Sequence, residues 1–164
     1  MTREQQQRTK IKICGLKRPE DITYVNEAKP DYCGFIIEFP SSFRSVTADE
    51  VRELVKELDP EIRPVGVFVN APMELVRTLL DDGTLALAQL HGQEDESYIR
   101  ELKTYTDKPI IKAFSIALPK DLLAIFNYEG FCDYYLFDTR TVHYGGSGQQ
   151  FDWSILQRYI GSTP

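Results

Sequence analysis

Short apolar runs alternate along this chain with stretches whose apolar residues recur every three or four positions. The runs are IKICGL at 11–16, YCGFIIE at 32–38, VGVFVN at 65–70, LALAQLHG at 85–92, IIKAFSI at 110–116 and FCDYYLFD at 131–138. Nearly continuous apolar runs of this length read as strands buried on both faces, whereas the periodic stretches read as amphipathic helices. The helices carry their own start signals. Pro19 with Glu20 and Asp21 opens the first, with Ile22, Val25 and Ala28 on one face. Thr47 and Glu50 form a capping box for the second, which runs to Leu58. The third follows Pro72 and ends at Gly83, and the fourth covers 94–105. The fifth opens at Pro119, and a sixth starts after Asp152, a good N-cap residue.

Strand ends fall near Cys14, Glu38, Asn70, His91, Ser115 and Asp138, about 25 residues apart. Regular alternation of buried strand and amphipathic helix predicts βα units around a parallel sheet. The period alone does not choose between a barrel and a doubly wound sheet. In either case, polar residues at the carboxyl ends of strands share one face, where ligands bind. Cys14, Arg44, Asn70, His91 and Asp138, together with the glycine loop Gly145-Gly146-Ser147-Gly148, are therefore expected on that face. The loop offers backbone N–H groups and leads into a helix N-terminus, features that suit a phosphorylated small molecule.

Composition narrows the function classes. At 164 residues, with no composition break, the chain reads as one domain after a polar, Gln-rich arm over 1–10. The net charge is −6 and no basic stripe is present, which argues against nucleic-acid or anionic-membrane partners. No apolar run approaches the roughly 20 residues needed to span a bilayer. Cys14, Cys33 and Cys132 are odd in number, far apart and without a CxxC. They suggest a reducing cytoplasm rather than a disulfide framework or a zinc site.

Taken singly, the candidate residues keep two readings. Cys14 is a nucleophile, a general base, or a small core residue. Lys12 lies two residues earlier on the same strand face; if Cys14 faces the site, Lys12 faces the interior and needs a carboxylate partner. Asp138 is an acid at a strand end or the cap of a turn. Gln89 and His91 share a strand face and either orient a substrate or satisfy each other. Arg44 can hold a carboxylate through its planar fork or lie free on the surface. The glycine loop lacks the GK[ST] of a phosphate-loop NTPase, and Phe151 stands where a dinucleotide fingerprint needs its third glycine.

As an ordered set the motifs are far more specific. KICGL at 12–16, PSSFRSV at 40–46, VGVFVN at 65–70, QLHG at 89–92, LFDT at 136–139 and YGGSGQQFDW at 144–153 resemble the phosphoribosylanthranilate isomerase family. The resemblance covers nearly the whole chain after residue 10. It implies a (β/α)8 barrel of tryptophan biosynthesis that uses no metal and no cofactor. The reaction implied is an Amadori rearrangement of N-(5′-phosphoribosyl)anthranilate to 1-(2-carboxyphenylamino)-1-deoxyribulose 5-phosphate. By the same resemblance Asp138 is the general acid, Cys14 the general base, and Arg44 the holder of the anthranilate carboxylate. Gln89 and His91 line the site with the glycine loop, residues Gly145, Gly146, Ser147 and Gly148. Related phosphosugar barrels fit less well: the histidine-pathway isomerase is expected to use two aspartates, and Cys14 occupies the first position.

The chain holds about six βα units and stops about where a seventh strand is expected, so the expected architecture is a partial barrel. The absent units would carry the family's main phosphate cradle, and the first and sixth strands would have exposed edges open to self-association. The alternative expectation is a catalytically inactive fragment, or an α/β module that binds phosphosugars without turnover.

Overall fold

The computed structural model describes residues 8–139 and 150–164. Seven strands and four α-helices alternate in the order β1 (Lys12–Cys14), α1 (Pro19–Ala28), β2 (Tyr32–Ile37), β3 (Ser45–Val46), α2 (Ala48–Lys56), β4 (Arg63–Phe68), α3 (Met73–Asp81), β5 (Leu87–Leu90), α4 (Glu96–Tyr105), β6 (Ile110–Ile116) and β7 (Tyr134–Thr139). Two 3₁₀ helices, Pro119–Tyr128 and Trp153–Arg158, flank β7. All strand pairings are parallel.

The strand order is β1-β2-β4-β5-β6-β7, with the two-residue β3 paired to the end of β2. The order never reverses, so there is no switch point of the doubly wound kind. Side chains show that the sheet also curls. Lys12 on β1 hydrogen-bonds Gln89 on β5, three strands away. Strands in a flat sheet stand about 4.8 Å apart, which would separate these two by about 14 Å, beyond the reach of a lysine. Only a barrel-like curl brings them together, and the partial (β/α)8 barrel expected from the motifs is what the chain forms.

The curl divides the core in two. Alternate strand residues Cys33, Phe35, Ile37, Phe68, Ala88, Leu90 and Ile110 pack outward against helix residues that include Ile22, Val25, Val51, Val76, Leu79, Ile99 and Leu102. The other set points inward. Its floor is a cluster of Tyr32, Val65 and Leu87 with Ile111 and Tyr134 against it. This floor closes the interior at the amino ends of the strands and leaves the carboxyl ends for polar side chains.

The start signals hold. Thr47 Oγ1 accepts from the Glu50 N–H at 3.2 Å while Glu50 returns a bond to the Thr47 N–H at 2.7 Å. Asp95 caps α4 through the Tyr98 N–H at 2.9 Å. Asp152 accepts from the Ser154 N–H at 2.9 Å. The helices expected after Pro119 and Asp152 take 3₁₀ rather than α form. In the first, Leu122, Ile125 and Tyr128 lie three apart and pack together near Phe114 and Ile116. A three-residue turn puts such positions on one side. The last strand begins at Tyr134, three residues later than its apolar run suggested, and the short strand Ser45–Val46 pairs with the end of β2.

Candidate functional site

Five strands contribute side chains to one cavity of about 360 Å³ at the carboxyl ends of the sheet. Lys12 and Cys14 come from β1, Gln89 from β5 with His91 just beyond it, and Asp138 from β7; Ser42 and Arg44 enter from the loop after β2. Val67, Val69, Ile36 and Leu136 supply apolar wall. The even spacing of Lys12/Cys14, Gln89/His91 and Leu136/Asp138 places each pair on the inner face, because strand side chains alternate.

A continuous row of polar contacts crosses this cavity. Lys12 Nζ lies 3.7 Å from Cys14 Sγ and donates to Gln89 Oε1. Gln89 Nε2 lies 2.8 Å from His91 Nδ1, and His91 Nε2 lies 3.3 Å from Asp138 Oδ2. Donor logic fixes the protons. An ammonium only donates, so the Gln89 oxygen faces Lys12 and its amide N–H faces His91. Nδ1 therefore accepts, and Nε2 carries the hydrogen that points at Asp138. The second Asp138 oxygen, Oδ1, accepts from the Thr139 N–H at 2.8 Å.

Burial shapes the charges. Gln89 is 2% exposed, so its amide would be costly without both partners. Burial lowers the His91 pKa from the ordinary histidine value, against the opposing pull of Asp138, and keeps the ring neutral near pH 7. Burial also lowers Lys12, while Cys14 pulls it back up. Lys12 finds an amide oxygen and a sulfur where a carboxylate was expected.

Two glycines make room for this arrangement. Gly15 follows Cys14 with φ 92°, a left-handed backbone that favours glycine, and a Cβ there would stand 2.8 Å from Arg44 Cδ. The Arg44 side chain therefore passes directly over the end of β1. Its guanidinium also lies over the Phe43 ring at 5.4 Å, and its Nε is buried with no hydrogen-bond partner among the described residues. A buried N–H donor beside a cavity is suited to an incoming carboxylate. Gly92 does the same for the β5 end: a Cβ would meet Asn70 Oδ1 at 2.5 Å.

Asn70 is not a cavity residue. Its Oδ1 accepts from the Gln93 N–H at 2.6 Å, and its own N–H donates to Glu94 at 2.7 Å. It secures the loop that carries His91. Glu94, which no spacing pattern marks, pairs with Lys112 at 3.3 Å and also accepts from the Gly92 N–H at 2.9 Å. Gly145, Gly146, Ser147 and Gly148 lie outside the described residues.

Comparison with known proteins places this geometry. A family model described as N-(5'phosphoribosyl)anthranilate (PRA) isomerase matches residues 11–163. The curated N-(5'-phosphoribosyl)anthranilate isomerase of Endomicrobium trichonymphae is 45% identical over 151 residues, spanning 92% of this chain and 72% of that protein. The protein of the same name from Phocaeicola vulgatus is 42% identical over 154 residues, spanning 94% and 72%. Among solved structures, phosphoribosyl anthranilate isomerase from Thermotoga maritima superposes with a TM-score of 0.79 at 34% identity, over 91% of this chain and 70% of that one. A phosphoribosyl anthranilate isomerase in complex with reduced 1-(O-carboxyphenylamino)-1-deoxyribulose 5-phosphate gives a TM-score of 0.75 at 30% identity, over 92% and 69%.

Proposed function

The chain belongs to the N-(5'-phosphoribosyl)anthranilate isomerase family, and from that premise we propose that Asp138 and Cys14 are the acid and base of its Amadori rearrangement. It is an aldose–ketose isomerase of tryptophan biosynthesis that takes a small phosphoribosyl substrate. The observation that carries the assignment is the row of contacts from Cys14 to Asp138, which sets the two residues at opposite ends of one cavity.

The chemistry follows from the groups at each end. Asp138 gives a proton to the ribose ring oxygen, the C1′–O bond breaks, and the anilino nitrogen lone pair forms a C1′=N iminium. The carboxylate left behind is stabilised by the His91 Nε2–H and the Thr139 N–H. At the other end, Cys14 removes the C2′ proton; the electrons of the C2′–H bond form C1′=C2′, and those of the C1′=N π bond return to nitrogen as its lone pair. The resulting enolamine becomes the ketone by losing its hydroxyl proton and gaining one at C1′. The iminium acidifies C2′, so a sulfur base is strong enough. Gln89 and His91 act here as orienting groups: a neutral histidine with its hydrogen on Nε2 supports the acid and does not compete as a base.

Arg44 is assigned to the anthranilate carboxylate, supported by its buried, unpartnered Nε and its place over Gly15. The glycine loop Gly145, Gly146, Ser147 and Gly148 is assigned to the phosphoribosyl end on the motif alone. Residues 11–164 are read as one functional unit in a cytoplasmic setting. The three free cysteines support that setting, and no helix among the described residues is long and apolar enough to cross a membrane. Self-association through the end strands β1 and β7 is also proposed; Ile11 and Ile13 are 55% and 39% exposed. Sedimentation of the purified chain at several concentrations tests it, and a strictly monomeric species refutes it.

The assignment of Arg44 is tested by calorimetric titration with reduced 1-(2-carboxyphenylamino)-1-deoxyribulose 5-phosphate. Saturable one-site binding is expected, weakened in Arg44→Ala by the equivalent of about 1.5–3 kcal/mol, the usual worth of a hydrogen bond to a charged group. Binding that is unaltered in Arg44→Ala removes the assignment.

A further inference from the structure

Lys12 has no part in the proton transfers written above, yet the fold makes unusual provision for it. Its side chain and that of Cys14 lie together over Gly34 on β2. A Cβ at Gly34 would stand 2.7 Å from Cys14 Sγ and 2.9 Å from Lys12 Cε. Gly34 is not among the residues with positive φ, so glycine is demanded here by space and not by backbone conformation. Removing one methyl from β2 creates the trough in which sulfur and ammonium meet.

Among the described residues, Gln89 and Cys14 are the hydrogen-bonding neighbours of the ammonium. Gln89 holds it through a neutral amide oxygen. His91 is neutral, and burial pushes the Cys33 thiol up to about 12, so neither offers an anion. Lys112, the other cation that acts on His91, has Glu94 of its own. Among the described contacts of Lys12, that leaves the sulfur of Cys14 at 3.7 Å. Even half-buried, an ammonium without a counter-ion is costly, and a cation next to a cysteine favours its reactivity.

We propose that Lys12 is the positioning cation of Cys14: tethered by Gln89, it holds the sulfur facing the cavity and raises its reactivity. Gln89 then serves both ends of the site, with its oxygen fixing the cation beside Cys14 and its nitrogen fixing the His91 tautomer beside Asp138. The proposal deepens the reading of Cys14 as the base, but its test does not require turnover.

The test is the rate at which Cys14 in the full 164-residue chain reacts with iodoacetamide near neutral pH, followed by peptide mass spectrometry. Cys33 and Cys132 are buried, with thiols pushed up to about 12, and serve as slow internal references. Lys12→Met is expected to slow alkylation of Cys14 about tenfold. Lys12→Arg keeps most of the rate, and Gln89→Leu slows it less than Lys12→Met. A folded Lys12→Met chain that reacts as fast as the parent overturns the proposal. If that variant fails to fold, an unchanged rate in Gln89→Leu overturns it instead. Absence of isomerase turnover combined with a tenfold alkylation difference would defeat the functional reading and leave the Lys12 proposal standing.

Discussion

Two lysines point into packed parts of this half-open barrel, Lys112 buried and Lys12 half-buried, and they are provided for differently. Lys112 is 3% exposed on the outer face of β6. Its ammonium meets Glu94 at 3.3 Å and the carbonyls of Leu90 and Gly92 at 3.4 and 2.8 Å. Glu94, 5% exposed as a residue, spends its remaining capacity on the N–H groups of Asn70 and Gly92. Both charged groups of that knot are held by hydrogen bonds among the described residues. Lys12, on the inner face, has one amide oxygen, one sulfur and a cavity. Burial lowers both lysines; Glu94 pulls Lys112 back up and Cys14 pulls Lys12 back up. A buried charge whose partners close on themselves is scaffold. One whose best partner is a reactive group at a cavity wall is poised for chemistry.

The contrast breaks most sharply at the outer knot. Lys112→Met leaves Glu94 buried and unpaired, and is expected to cost about 3–5 kcal/mol in urea unfolding. Lys12→Met is expected to cost far less, because no buried carboxylate is stranded. Equal losses for the two variants would erase the distinction between scaffold and site.

Gly34→Ala sharpens the comparison from below the inner lysine. The added methyl meets Sγ and Cε at distances real side chains do not tolerate. Overpacking of this kind costs about 1–3 kcal/mol. Turnover should fall more than stability, since both Lys12 and Cys14 are displaced. Wild-type turnover in a folded Gly34→Ala chain would show that the trough is unimportant.

The smallest effect expected is in acid. His91 has a folded pKa below its unfolded value of about 6.5, so in the window below pH 6.5 the unfolded chain binds the proton first. Stability is then full above pH 6.5 and declines as the pH falls toward the folded pKa. His91→Asn should flatten this part of the stability–pH curve; an identical slope in the variant would mean that other groups set it.

Much of this architecture was legible in the sequence, for definite reasons. Period and apolar content located the strands because both faces of a parallel sheet are buried, and Thr47 and Asp152 marked helix starts through hydrogen bonds local to the chain. Barrel against open sheet was not legible from period, because curl is a relation among strands; the Lys12–Gln89 contact decides it. Two-residue spacing put Lys12 beside Cys14 and Gln89 beside His91, but the register between β1 and β5 that joins the pairs is set by the whole sheet. Glu94 was illegible for a similar reason: its partners Asn70 and Lys112 lie on other units. The 3₁₀ form of the last two helices was missed, although the three-residue spacing of Leu122, Ile125 and Tyr128 was a usable sign.

The most direct measurement is turnover of N-(5′-phosphoribosyl)anthranilate by the purified 164-residue chain, followed by the loss of its anthranilate fluorescence. Turnover is expected in the parent and should fall about 10²–10⁴-fold in Asp138→Asn, the range that a positioned general acid contributes. Turnover in Asp138→Asn equal to the parent's, or none from a correctly folded parent chain, would contradict the assignment of the chemistry to this row of residues.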